Sequence, residues 1–93
     1  MYRIELSPQV LKELSDPQRY PAKIFRQLTL KIFALGQDPK PQDVQKIGAD
    51  YRVDSGEYRI FYSINDDQHT VTILIVGKRD DDEIYRRIKR WLG

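Results

Sequence analysis

The stretch Tyr51-Arg52-Val53-Asp54-Ser55-Gly56-Glu57-Tyr58-Arg59-Ile60-Phe61-Tyr62-Ser63-Ile64, followed after a polar gap by Thr70-Val71-Thr72-Ile73-Leu74-Ile75-Val76, decides the fold. Tyr58, Ile60, Tyr62 and Ile64 alternate with Arg59, Phe61 and Ser63, which is the period of a strand with two different faces. Ser55-Gly56 supplies a tight hairpin connection, and Asn65-Asp66-Asp67-Gln68 a second turn rich in residues that tolerate left-handed backbone. Residues 71–76 are almost continuously apolar, so this strand is expected to be covered on both faces and to lie centrally. Strands over roughly 51–54, 57–64 and 70–76 thus form a meander.

Towards the N-terminus, Tyr2, Ile4 and Leu6 alternate with Arg3 and Glu5 as in a half-buried strand. Ser7-Pro8 then reads as an N-cap followed by proline at the first helical position, with Val10, Leu11 and Leu14 as a short apolar stripe. Asp16-Pro17 marks a turn. Pro21 opens a second helix running to about Leu35, where Gly36 is the expected C-cap. Ile24, Phe25, Leu28, Ile32 and Leu35 fall on one face of that helix, which should lie across a sheet. Asp38-Pro39-Lys40-Pro41 is a linker, since neither proline has an N–H to donate and each restricts the residue before it.

Towards the C-terminus, Asp80-Asp81-Asp82 begins a last helix whose Ile84, Ile88 and Leu92 make a stripe, with Trp91 beside it. Its acids come early and its bases late, which complements the helix dipole, and Asp82 to Arg86 and Glu83 to Arg87 have i,i+4 spacing. The expected architecture is α+β in the order β-α-α-β-β-β-α. A curved antiparallel sheet carries the two N-terminal helices on one face, leaves the other face for function, and is followed by a C-terminal helix.

Ninety-three residues make one domain, 1–93, with room for a single core. Sixteen basic against fourteen acidic residues leave a net charge of +2, so any case for nucleic acid rests on where the charges sit. With no cysteine, disulfides and zinc-thiolate sites are excluded. The N-terminal residues lack a signal-peptide core, and no apolar run approaches the roughly 20 residues of a spanning helix, so a cytoplasmic protein without a membrane partner is expected. Motifs for dinucleotides, P-loop phosphates and zinc are missing, and the acidic run lacks EF-hand spacing, so neither metal nor organic cofactor is expected.

The candidate chemistry lies in Arg52, Arg59, Lys78, Arg79 and Tyr85, which the strands would gather at one surface. Cations and a phenol without a His or carboxylate dyad suit a phosphodiester better than an acyl group, which makes RNA the leading substrate. Simpler roles compete with that reading. Arg52 and Arg59 can form cross-strand pairs with Asp54 or Glu57. Tyr85 can cover the edge of the helix stripe, and His69, alone in a polar turn, has no partner and is given no role.

Gly56-Glu57-Tyr58-Arg59-Ile60-Phe61-Tyr62, then Gly77-Lys78-Arg79 after the apolar strand and Tyr85 six residues on, resembles the RelE/ParE superfamily of bacterial toxins, in its RelE branch. The likeness extends over the whole chain. It implies a metal-independent endoribonuclease that cleaves mRNA in the ribosomal A site and is held inactive by a cognate antitoxin. It also implies that Arg59, Arg79 and Tyr85 match the catalytic arginines and tyrosine, and that Arg52 stands where the family commonly carries a catalytic lysine. Lys78, Lys46 and Arg86 are the expected RNA-binding cations, and crowding by other cations would make Lys78 the better proton acceptor. Asp54 departs from the pattern, which often has a second lysine there. Trp91 and the terminal-helix stripe are the expected antitoxin contacts. The alternatives are a ParE-like inhibitor of DNA gyrase without nuclease activity and a catalytically weak, antitoxin-binding member.

Overall fold

The computed structural model describes residues 1–80 and 82–92, with side chains described for 1–80 and 85–90. The first strand, β1 (Arg3–Leu6), leads directly into α1 (Pro8–Ser15). Ser7 caps α1 as the sequence indicates: its Oγ accepts from Val10 N–H at 3.2 Å and donates to the Leu74 carbonyl at 2.9 Å, so the cap also ties the helix to the sheet. A turn then connects to α2 (Ala22–Gln37), with Pro21 as its N-cap.

Gly36 is not the C-cap of α2. It lies in the last turn, and Asp38 in extended backbone ends the helix. A Cβ at Gly36 would come within 3.1 Å of the Tyr2 carbonyl and 3.3 Å of Ile4 Cδ1, while Tyr2 N–H donates to the Gly36 carbonyl at 2.7 Å. Glycine here permits close approach of helix and strand rather than a left-handed turn.

The remaining elements are β2 (Gln45–Ile47), β3 (Asp50–Ser55), β4 (Tyr58–Asn65), β5 (Thr70–Lys78) and α3 (Asp82–Leu92). The meander β3-β4-β5 is antiparallel as expected, and β1 joins β5 in parallel, giving the order β1-β5-β4-β3-β2. Parallel addition is possible because two helices intervene between β1 and the meander, enough chain to cross over. The short edge strand β2 was not legible: only Ile47 is apolar, and its pairing with β3 is set by the turn at Gly48, whose φ is +60°. Between β3 and β4 the turn residues are Gly56 and Glu57, closed by the Ser55–Tyr58 pair. Gly56 at φ +59° takes the first central position, as in a type II′ turn.

Helices α1 and α2 cover one face, where Val10, Leu28, Ile32 and Leu35 meet Val53, Ile60, Tyr62, Val71, Ile73 and Val76. Leu11 and Phe25, assigned to the buried stripes from spacing, are instead exposed. Each follows a residue that already fills the stripe (Val10 and Ile24), and a further rotation of about 100° carries it to the helix flank. On the opposite face Phe61 and Ile75 receive Ile88 of α3, with Ile47 and Leu74 alongside. That face is therefore partly roofed by α3 rather than left open.

A bulge in β5 makes both cores possible. Phe61 pairs with Ile75 but Tyr62 with Ile73, leaving Leu74 as the extra residue. Val71 and Ile73 thus face α1 and α2, Leu74 and Ile75 both face α3, and Val76 returns to the first side. The Ile84 and Leu92 positions of the terminal stripe, Trp91, and the proposed Asp82 and Glu83 ion pairs lie outside the described side chains. Among the described residues no helix is long and apolar enough to cross a membrane.

Candidate functional site

The α3-facing side of β3 and β4 brings three of the expected residues together. Arg52 on β3 donates through Nη1 to the Tyr85 hydroxyl oxygen and through Nη2 to Gln45 Oε1 at 2.7 Å. Arg59 on β4 holds its Cζ 5.6 Å from the centroid of the Tyr85 ring, a cation–π arrangement, and donates from Nε to Asp54 Oδ1 at 2.9 Å. The Tyr85 ring meets Phe61 edge-on at 6.3 Å between centroids.

Each position has a local cause. Strand alternation turns Arg59 and Phe61 to the α3 side while Ile60 and Tyr62 enter the helical core. Arg52 is directly opposite Phe61, and Asp54 directly opposite Arg59. Tyr85 precedes Ile88 by three residues, so both lie on the helix surface that docks on Phe61 and Ile75. Tyr85 is thus both the edge cover and the aromatic floor of a cationic basin.

The cross-strand pairing that competed with a site role applies to Arg59, which is bonded to Asp54, but not to Arg52, whose partners are neutral. The Arg59–Asp54 pair is partly solvated, with side chains 18% and 40% exposed, and is worth up to about 1 kcal/mol. Asp54 engages only Nε, one of five N–H donors in the guanidinium fork.

Lys78 and Arg79 do not join the basin as a pair. The strand read as ending at Val76 continues through Lys78, so these adjacent residues follow strand alternation and diverge. Lys78 pairs with Tyr58 and faces the helical side, away from Arg59. It is therefore not one of the cations of the basin. Arg79 continues the ladder one step, its N–H donating to the Glu57 carbonyl at 2.8 Å, and its exposed guanidinium reaches the Gly56 carbonyl at 3.5 Å, beside the hairpin turn.

Lys46 pairs with Tyr51 on the helical side and is exposed, so strand alternation directs it away from Gln45 and Arg52. Arg86 is exposed on α3 next to Tyr85. Gln45 was missed because it belongs to the strand that sequence periodicity does not reveal; its only signal is the register that puts it opposite Arg52. Among the described residues no cluster of three His, Asp or Glu side chains could hold a metal.

A second concavity, of about 610 Å³, lies on the other face. Arg19, Tyr20, Ile24, Glu57, Tyr58, Lys78 and Arg87 contribute to its lining. Arg19 is fixed there by Glu13 at 2.9 Å and by the Tyr20 ring, 5.9 Å from its Cζ. Burial, with the nearby Glu13 charge, pushes the Tyr20 phenol above its ordinary range.

Comparison with known proteins bears on the family and the fold. Residues 4–83 match the family described as the ParE toxin of the type II toxin-antitoxin system, parDE. A search of curated protein sequences gave no match. Among solved structures, the archaeal RelE-RelB complex from Pyrococcus horikoshii is similar with a TM-score of 0.71 and 30% identity, over 85% of this chain and 96% of that one. A mutant of Escherichia coli RelE in the free state gives a TM-score of 0.73 and 24% identity over 96% of each chain. The RelBE2 toxin-antitoxin complex of Mycobacterium tuberculosis gives 0.70 and 23%, over 84% of this chain and 98% of that one. The chain belongs to the ParE toxin family of type II toxin-antitoxin systems, within the RelE/ParE superfamily, and its structural likeness is to the RelE branch.

Proposed function

We propose that this toxin is an mRNA endoribonuclease of the RelE type, acting in the cytoplasm on mRNA in the ribosomal A site and neutralised by a cognate antitoxin. The observation that carries this reading is the meeting of Arg52, Arg59 and Tyr85 in one basin. The likeness to RelE structures, several of them in complex with RelB antitoxins, supports it.

In the reaction, the 2′-hydroxyl of the RNA gives up its proton to solvent water as its oxygen attacks the adjacent phosphorus, and the bond to the 5′-oxygen breaks, leaving a 2′,3′-cyclic phosphate and a 5′-hydroxyl. Negative charge grows on the non-bridging oxygens, and the guanidinium groups of Arg52 and Arg59 meet it with N–H donors already in place. The Tyr85 oxygen accepts from Arg52, which leaves the phenolic proton to be donated to the departing 5′-oxygen. Arg79, beside the hairpin turn, grips the same phosphate from the strand end. No metal or cofactor enters this scheme.

The test is to induce the chain in a bacterial host and map mRNA ends on translating ribosomes. Cuts made by the wild type should disappear in Arg59→Ala and Arg79→Ala. Identical ends in all three would end the nuclease reading.

ParE-like inhibition of DNA gyrase is the second reading, favoured by the family match and by the carboxylate of Asp54 against Arg59. Loss of gyrase supercoiling on adding purified toxin, with intact mRNA, would select it.

A further inference from the structure

We propose that the cleft between the start of α2 and the end of β5 is a second binding site for single-stranded RNA, taking one nucleotide that flanks the scissile phosphate. The proposal rests on the RNA reading above and deepens it. Cations from three separate elements line this cleft: Arg19 from the α1–α2 turn, Lys78 from the end of β5, and Arg87 from α3, against a single carboxylate, Glu57, among the described residues. They are brought together by tertiary structure, not by a local charge run.

The three cations are not equivalent. Arg19 is held by Glu13, whose side chain is only 5% exposed, so it lends shape and field more than a spare contact. Lys78 is exposed and forms no ion pair among the described residues. Arg87 is half-buried on the α3 wall. Tyr58 is half-buried in the cleft and braced edge-on by Tyr20 at 5.7 Å, giving a nucleobase an aromatic edge beside the phosphate-binding cations.

Continuity with the basin favours RNA over an acidic peptide. Tyr58 and Arg59 are consecutive on β4, so cleft and basin lie back to back across the sheet. At the end of the sheet Arg79 stands beside the hairpin turn, between Lys78 on one face and Arg59 on the other. Arg59, Arg79 and Lys78 thus trace a cationic path around the strand end, from the basin that takes the scissile phosphate to the cleft on the other face. A nucleic-acid strand carries a phosphate at every residue and so meets cations all along such a path, whereas a polypeptide does so only where its composition supplies acids.

The test uses a short, fully 2′-O-methylated, fluorescently labelled RNA, which cannot be cleaved, and purified toxin at about 50 mM salt, where phosphate contacts dominate. The Lys78→Gln/Arg87→Gln double variant should weaken binding about tenfold and reduce the slope of log affinity against log salt by about 1.4, the value for two single-strand phosphate contacts. Glu57→Gln should move the other way and tighten binding several-fold, which a merely disturbed fold would not do. No binding by the wild type, unchanged affinity in the double variant, or competition by polyglutamate as effective as by unlabelled RNA of equal charge would each overturn the proposal. Ribosomal cleavage with an unchanged double variant would sink the cleft and leave the nuclease reading. Cleft-dependent binding without cleavage would do the reverse.

Discussion

At the scale of single residues, Asp54 and Tyr85 decide how the basin works. The Asp54 carboxylate places negative charge where a phosphate would arrive, yet its oxygen also orients Arg59 through Nε. Asp54→Asn keeps an oxygen acceptor and removes the charge. Under the proposed nuclease function, cleavage of ribosome-bound mRNA should therefore rise several-fold, while urea unfolding shows a loss of less than about 1 kcal/mol. Tyr85→Phe separates the ring from the hydroxyl: Arg59 keeps its aromatic floor and Phe61 its neighbour, but Arg52 loses one of its two acceptors and keeps Gln45. Cleavage should fall by more than about tenfold with stability within about 1 kcal/mol of wild type, measured by single-turnover kinetics and denaturation. Equal rates for the two proteins would remove the phenol from the chemistry.

At the scale of elements, the contact between α2 and β1 sets how closely the helical layer approaches the sheet. Alanine in place of glycine within a helix gains up to about 1 kcal/mol in propensity. At Gly36 the added Cβ meets a backbone carbonyl at 3.1 Å, and neither helix nor strand can yield without disturbing the Tyr2–Gly36 hydrogen bond. Gly36→Ala should therefore be destabilising by about 1–2 kcal/mol in urea unfolding, opposite in sign to propensity alone. The bulge at Leu74 is the corresponding device in β5, letting one strand serve two cores that strict alternation would not match. Its sequence signal is the Ile73-Leu74-Ile75-Val76 run, which reveals burial on both faces but not which residue is the extra one.

At the scale of the whole molecule, buried tyrosines link stability to alkaline pH. Tyr62 is fully buried, with its hydroxyl donating to the Pro39 carbonyl at 2.7 Å. Burial first, then the charges of Asp43 and Asp38, push its phenol far above the ordinary range, and burial raises Tyr20 in the same direction. A raised folded-state value means the folded chain keeps a proton that the unfolded chain gives up near pH ~10. Their contribution is thus fully present below that pH and lost as pH rises above it. Urea unfolding should show stability insensitive to these groups from pH ~8 to ~9 and declining steeply beyond pH ~10. Tyr62→Phe should cost about 1–2 kcal/mol at neutral pH by stranding the Pro39 carbonyl, and should make the alkaline decline shallower. An identical alkaline slope would show that Tyr62 is not its source.

Much of this was legible along the chain because side-chain period is a local property. Alternation in 58–64 assigned Arg59 and Ile60 to opposite faces, helical spacing placed Leu28, Ile32 and Leu35 in the core, and Ser7-Pro8 marked the start of α1. The element order and the meander were readable for the same reason. Neighbourhood was not readable. That β1 lies parallel to β5, that β2 extends the sheet to bring Gln45 to Arg52, and that β5 runs far enough to separate Lys78 from Arg79 are outcomes of long-range burial and strand pairing. Local pattern fixes which way a side chain points along its own element, whereas the partners it meets depend on how distant segments share a limited apolar surface.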